Sequence, residues 1–134
     1  MDEDRKKRKF DQGKLKYNLI LPGFLEQMAE ILTKGEVNHP KDPDGTPSWQ
    51  SVEQEAYINA MIRHLEKFRV GELVDKEMLT HHIAHCAVNC MFLWWFTREK
   101  YEKEKMVIQM GLTFEFPTLA EAMNHFIGGV NEKG

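Results

Sequence analysis

The 134-residue sequence has no uninterrupted apolar run long enough to span a bilayer; its most apolar stretch, 86–96, is short and broken by Asn89. That excludes a membrane-spanning helix. Only two cysteines occur, Cys86 and Cys90. One helical turn apart, their Cβ atoms would stand roughly 5–6 Å from each other, too far for easy bridging, so reduced thiols are expected. No charge of one sign dominates: the formal net charge is −3, which gives no general attraction to nucleic acid or anionic lipid. A glycine-rich phosphate cradle, a C-x-x-C pair and a nucleophile elbow are all missing, and with them the chemistries they support. The basic run Arg5, Lys6, Lys7, Arg8 and Lys9 leads into no apolar segment of signal-peptide type, so a solvated arm and a cytoplasmic protein are expected.

What is present is helical periodicity. At this length and 42% apolar content the chain suits one domain with a single core. Residues 1–13 read as a flexible basic arm, 14–105 as the helical domain and 106–134 as an extension. Residues 14–22 are too short for a helix before Pro22 and read as an extended docking segment. Pro22 suits a helix first turn, and 23–34 carries Phe24, Leu25, Met28, Ile31 and Leu32 on one face, with Gly35 as its expected stop. A loop follows, with three of the five prolines between His39 and Ser48. A loop of that kind is expected to be mobile or functional. The second helix is expected over about 52–69, capped by Ser48 or Ser51 and stopped by Gly71. The third is the centre of the chain. Residues 77–99 lack proline and glycine, become apolar all round after His85, and are expected to continue through 100–105. Gly111 and Pro117 punctuate an extended stretch before a short last helix over 119–127. The predicted architecture is all-α, a bundle of three main helices plus a short C-terminal one.

Into the central helix the sequence places His82, His85 and Asn89. At about 100° per residue they fall within roughly 60° of one another and form one polar stripe. Three polar side chains buried in a row need partners. An i, i+3 imidazole pair can hold a metal ion, with Asn89 orienting or coordinating; a structural hydrogen-bond network satisfies the same stripe. His81, beside them, is expected at the surface. Glu26 and Glu30 form an i, i+4 carboxylate pair of the kind that grips a divalent cation, although they lie opposite the apolar stripe of their helix, where a solvated face is the default. Arg63 can fork onto a phosphate, with Lys14 and Lys16 as point charges. His64 lies at the edge of the second helix's apolar face. Trp49 and Tyr17 are candidates for stacking on a base, against the commoner use of such rings in packing.

The segments GKLKYNLILPGFLEQMAEILTKG, PSWQ, YINAMIRHLEKFRVGELVD and HHIAHCAVNCMFL occur in the order of a phage-associated family described as dATP/dGTP diphosphohydrolases. The chain resembles that family from about Gly13 to Leu93. The family in turn is similar to the all-α NTP pyrophosphatases, the MazG-like and dimeric dUTPase group. These are helical oligomers that hydrolyse a nucleoside triphosphate to monophosphate and pyrophosphate, with Mg²⁺ or Mn²⁺ held by E-x-x-E and E-x-x-D motifs. In this sequence His82-Ile83-Ala84-His85 falls where E-x-x-D would be, and Glu26 and Glu30, spaced four rather than three, are nearest to E-x-x-E.

The resemblance implies a metal held by Glu26, Glu30, His82 and His85 as catalytic centre. Lys14, Lys16 and Arg63 would lie on phosphates, Tyr17 or Trp49 on the base, and His64 and Asn89 would orient ligands. Imidazoles in place of carboxylates disfavour Mg²⁺; Mn²⁺, Co²⁺, Fe²⁺, Ni²⁺ or Zn²⁺ fit better. A purine deoxynucleoside triphosphate is the implied ligand and a homo-oligomer the implied assembly, in the host cytoplasm if the protein is phage-encoded. The alternative is a protein of the same fold that sequesters a signalling nucleotide of bacterial antiphage defence without cleaving it.

Overall fold

The computed structural model describes residues 13–111 together with Glu121 and Asn124. The basic run 5–9, the extended stretch 113–116 and, apart from those two positions, the expected helix 119–127 lie outside the described residues. Within them the protein is all-α: helices α1 (Pro22–Asn38), α2 (Gln54–Arg69) and α3 (His82–Gln109), with strands β1 (Val74–Asp75) and β2 (Thr80–His81) between the last two. None of the described helices is long and apolar enough to cross a membrane.

Helix α1 begins as the sequence dictates, with Pro22 in its first turn. It does not stop at Gly35. It runs on to Asn38, where the His39 N–H donates to the Gly35 carbonyl. A glycine inside a helix costs only about 1 kcal/mol. Here the last turns are tied down by Lys34, whose Nζ meets Glu30 at 2.8 Å and donates to the Met78 carbonyl at 2.6 Å. Residues 14–22 are not extended throughout, because Tyr17–Leu19 forms a 3₁₀ turn.

The proline-bearing loop is tied to itself. Thr46 bonds Asp44 through both its N–H and its hydroxyl, Ser48 Oγ donates to the His39 carbonyl, and Ser51 Oγ donates to Asp42. Both serines are thereby spent on the loop, and Glu53, without a side-chain cap bond, stands at the start of α2. At the other end Gly71, at φ 97°, closes α2. Its N–H donates to the Phe68 carbonyl and the Glu72 N–H to the Lys67 carbonyl, the paired 5→2 and 6→1 bonds of a Schellman motif.

Residues 77–81 are not helical, contrary to the sequence expectation. Asp75 folds the chain back on itself: its carboxylate accepts the Met78 N–H and its carbonyl the Leu79 N–H. Leu79 takes φ 59°, and β2 pairs antiparallel with β1, Val74 opposite His81 and Asp75 opposite Thr80. His81 then caps α3, its Nδ1 accepting the Ile83 N–H, which is why this residue is half-buried and not a free surface group.

Helix α3 packs against α2 and α1. Ile31, Ala84 and Val88 form the buried core, with Met28, Leu32, Met78 and Phe92 against it. Beyond it lies an aromatic cluster in which Trp49 stacks on Phe92 at 4.7 Å and meets Trp95 edge-on at 5.0 Å. The Tyr57 hydroxyl donates to the Trp49 carbonyl at 2.7 Å and locks the loop to α2. The apolar wrap of α3 is only partly covered by the described residues: Trp94 is 60% exposed.

Candidate functional site

Four segments converge on one cluster. Helix α2 supplies His64, the turn after it Glu72, the hairpin Asp75 and Thr80, and the first turn of α3 His82 and His85. The His82 N–H donates to the Leu73 carbonyl, pinning the start of α3 beside β1, and α1 holds the hairpin from outside through Gln27 Oε1, which accepts the His81 N–H. The buried polar stripe expected on α3 is present: His82, His85 and Asn89 are all buried, and Thr80 lies with them at 2% exposure.

Each of these imidazoles has the partners such burial demands. His82 Nε2 meets Glu72 Oε2 at 2.9 Å, and His82 Nδ1 lies 2.9 Å from His64 Nδ1. His85 Nε2 lies 2.6 Å from Thr80 Oγ1 and 3.7 Å from Asp75 Oδ2. The rings of His64 and His85 stack at 4.3 Å, tilted by only 5°. Asn89 Nδ2 donates to the His85 carbonyl one turn back, so it steadies the helix rather than reaching outward.

The electrostatics follow from crowding imidazoles out of water. Burial, together with the neighbouring His64 and His82 and against the pull of Asp75, pushes His85 down to about 4, so its ring is neutral at neutral pH. Burial and His82 lower His64 too. Glu72 is held below the usual carboxylate range, first by its hydrogen bond from His82 and further by Lys67 and Lys76.

One ligand atom each from His64, Asp75 and His82 lie within 4.8 Å of one another. The donor set is two imidazoles and a carboxylate, which suits borderline divalent cations. Two ring nitrogens at right angles on one cation at about 2.1 Å stand about 3 Å apart, close to the 2.9 Å between the two Nδ1 atoms. Glu72 on the far nitrogen of His82 matches the carboxylate–imidazole–metal arrangement usual at such sites. The residues present fit a divalent cation.

Of the residues singled out from sequence, the fold gathers His64, His82, His85 and Asn89. Glu26 and Glu30 are exposed on α1, Glu30 paired with Lys34, and neither belongs to the three-residue group. Arg63 is exposed next to His64, and Lys14, Lys16 and Tyr17 are exposed on the segment before α1. Trp49 is engaged by Phe92 and Trp95. Cys86 and Cys90 are free thiols that face Met61, Cys86 donating to its carbonyl and Cys90 to its sulfur.

Sequence reasoning missed Glu72, Asp75 and Thr80. They stood in what read as a turn and a helix start; the signal available was a run of acidic and hydroxyl residues between a helix stop and an imidazole pair. A separate open groove of about 450 Å³ is lined by Trp94, Arg98, Glu99, Glu102 and Lys103. It lies roughly 14 Å or more beyond His85 along α3, at 1.5 Å per residue.

The family described as dATP/dGTP diphosphohydrolase, N-terminal, matches residues 4–106. A dATP/dGTP diphosphohydrolase of Salmonella phage PMBT28 is 37% identical over 87 residues, 65% of this chain and 28% of that protein. The chain thus spans less than a third of the length of that curated relative. No solved structure matches.

Proposed function

The chain belongs to the dATP/dGTP diphosphohydrolase family in its N-terminal part, and from that premise we propose that it hydrolyses purine deoxynucleoside triphosphates to monophosphate and pyrophosphate with a divalent cation at the imidazole cluster. The observation that carries this reading is the convergence of His64, Asp75 and His82 within 4.8 Å. These three would hold the cation, with Mn²⁺, Co²⁺, Fe²⁺, Ni²⁺ or Zn²⁺ favoured over Mg²⁺ by the two imidazoles. When bound, such an ion supplies Lewis-acid polarisation of phosphoryl oxygens and a more acidic water.

The chain's own residues have separate tasks. His85, neutral and braced by Thr80, packs against the His64 ring and keeps that ring in register with His82. Arg63, exposed beside His64, neutralises phosphate charge as the triphosphate approaches, aided by Lys14 and Lys16. The exposed Tyr17 ring is the better platform for a base, since Trp49 already stacks within the core. Glu26 and Glu30 have no ligand role in this scheme. Homo-oligomerisation belongs to the same proposal, supported by the uncovered Trp94 and by Leu15, Leu19 and Leu21, each more than two-thirds exposed.

The test is incubation of the purified protein with a panel of nucleoside triphosphates and Mn²⁺, Co²⁺ or Mg²⁺, with products separated by chromatography. His64→Ala and His82→Ala/His85→Ala proteins serve as controls. Monophosphate and pyrophosphate from dATP or dGTP, lost in both controls, are expected. Absence of product under every condition would overturn hydrolysis, and nucleotide co-eluting intact from the protein would assign sequestration instead.

A further inference from the structure

Glu72 is the C″ residue of the Schellman motif that ends α2, so its backbone is set by two hydrogen bonds and by the left-handed Gly71. From there the side chain crosses to α3. Oε2 meets His82 Nε2 at 2.9 Å, while Oε1 lies 3.8 Å from Lys76 Nζ. Glu72 is the hydrogen-bond partner of His82 Nε2 among the described residues. A carboxylate can only accept, so the hydrogen in that contact sits on Nε2.

A neutral imidazole carries one ring hydrogen, and its position decides which nitrogen has a lone pair to offer. With the hydrogen committed to Nε2, Nδ1 is bare, and Nδ1 is the nitrogen that faces His64 at 2.9 Å. The alternative tautomer would turn an N–H toward His64 and Asp75 and present no ligand atom to them. Burial sharpens the choice: His82 is 3% exposed, so water cannot freely stand in for a missing partner.

We infer that Glu72 is a positioning residue: by holding the ring hydrogen of His82 on Nε2, it presents the bare Nδ1 to His64 and Asp75 and sets the site's affinity for a divalent cation. The inference rests on the reading of His64, Asp75 and His82 as a cation site. Glu72 itself does not touch the cation. Its partly exposed carboxylate leaves room for substitution, and its second oxygen faces only the exposed Lys76 ammonium among the described residues.

The test compares wild-type protein with Glu72→Leu and Glu72→Gln, using Mn²⁺ and Zn²⁺ alone as probes. Isothermal titration reads affinity. Long-range ¹H–¹⁵N correlation of the metal-free proteins reads which His82 nitrogen carries the hydrogen, and a purely structural role would leave that signature unmoved. Wild type is expected to show the Nε2–H form. Glu72→Leu is expected to redistribute the hydrogen toward Nδ1 and to bind about 10–100-fold more weakly. Glu72→Gln, which keeps an acceptor oxygen at the same reach, is expected to recover part of that loss. Unchanged affinity and unchanged tautomer in Glu72→Leu, with wild type binding the cations, would overturn the assignment of Glu72 alone. Wild-type protein that binds neither cation would overturn the cation site and this inference together.

Discussion

At the scale of single residues, the imidazoles behave according to the groups they were given. His85 has an ordinary value near 6.5 when unfolded and about 4 when folded. Between those values the unfolded chain takes up a proton that the folded chain refuses. Stability from this residue is therefore full above about pH 6.5, falls as pH drops toward 4, and changes no further below it. A metal-free wild-type protein is expected to lose melting temperature steadily from pH 7 to pH 4.5, and His85→Gln to show a shallower slope, as read by calorimetry in chelator. A slope identical in both would contradict the burial argument. The polar stripe of His82, His85 and Asn89 was legible because 3.6-residue periodicity puts these positions on one side of any helix. That His64 would meet both His82 and His85 was not legible, since an edge imidazole looks the same whichever neighbour it meets.

At the scale of elements, the corrections concern where helices begin and end. Gly35 is interior to α1, and a Cβ added there would meet nothing within 4 Å. Gly35→Ala is accordingly expected to stabilise the protein by about 0.5–1 kcal/mol in urea unfolding, where a true stop glycine would show a loss. Leu79 presents the opposite case. At φ 59° and 75% exposed, it gains little from burial and carries the strain of a left-handed residue with a Cβ. Leu79→Asn is expected to raise stability by up to about 1 kcal/mol, checked by the same unfolding curves. The hairpin around it was invisible in the sequence because two residues per strand give no alternation to read. Gly71, by contrast, acts as the local code says, and its Schellman bonds deliver Glu72 to the site.

At the scale of the whole molecule, the described residues bury few large apolar side chains and leave Trp94 open on the longest helix. In the proposed oligomer Trp94→Glu is expected to shift sedimentation toward smaller species, while leaving the helical circular-dichroism signal near that of wild type. An unchanged sedimentation profile would remove Trp94 from the interface. The sequence by itself determined the all-α class, the three principal helices and the buried stripe on α3. These follow from periodicity and from proline and glycine punctuation, both of which act within a few turns of chain. Only the tertiary structure decided that α1 continues past Gly35, that 74–81 folds as a hairpin, and that His64, Asp75 and His82 share one centre. Such outcomes depend on contacts between segments tens of residues apart, as when Lys34 reaches the Met78 carbonyl and Gln27 accepts the His81 N–H. There the energy of a few long-range hydrogen bonds exceeds the roughly 1 kcal/mol by which local propensity favours another ending.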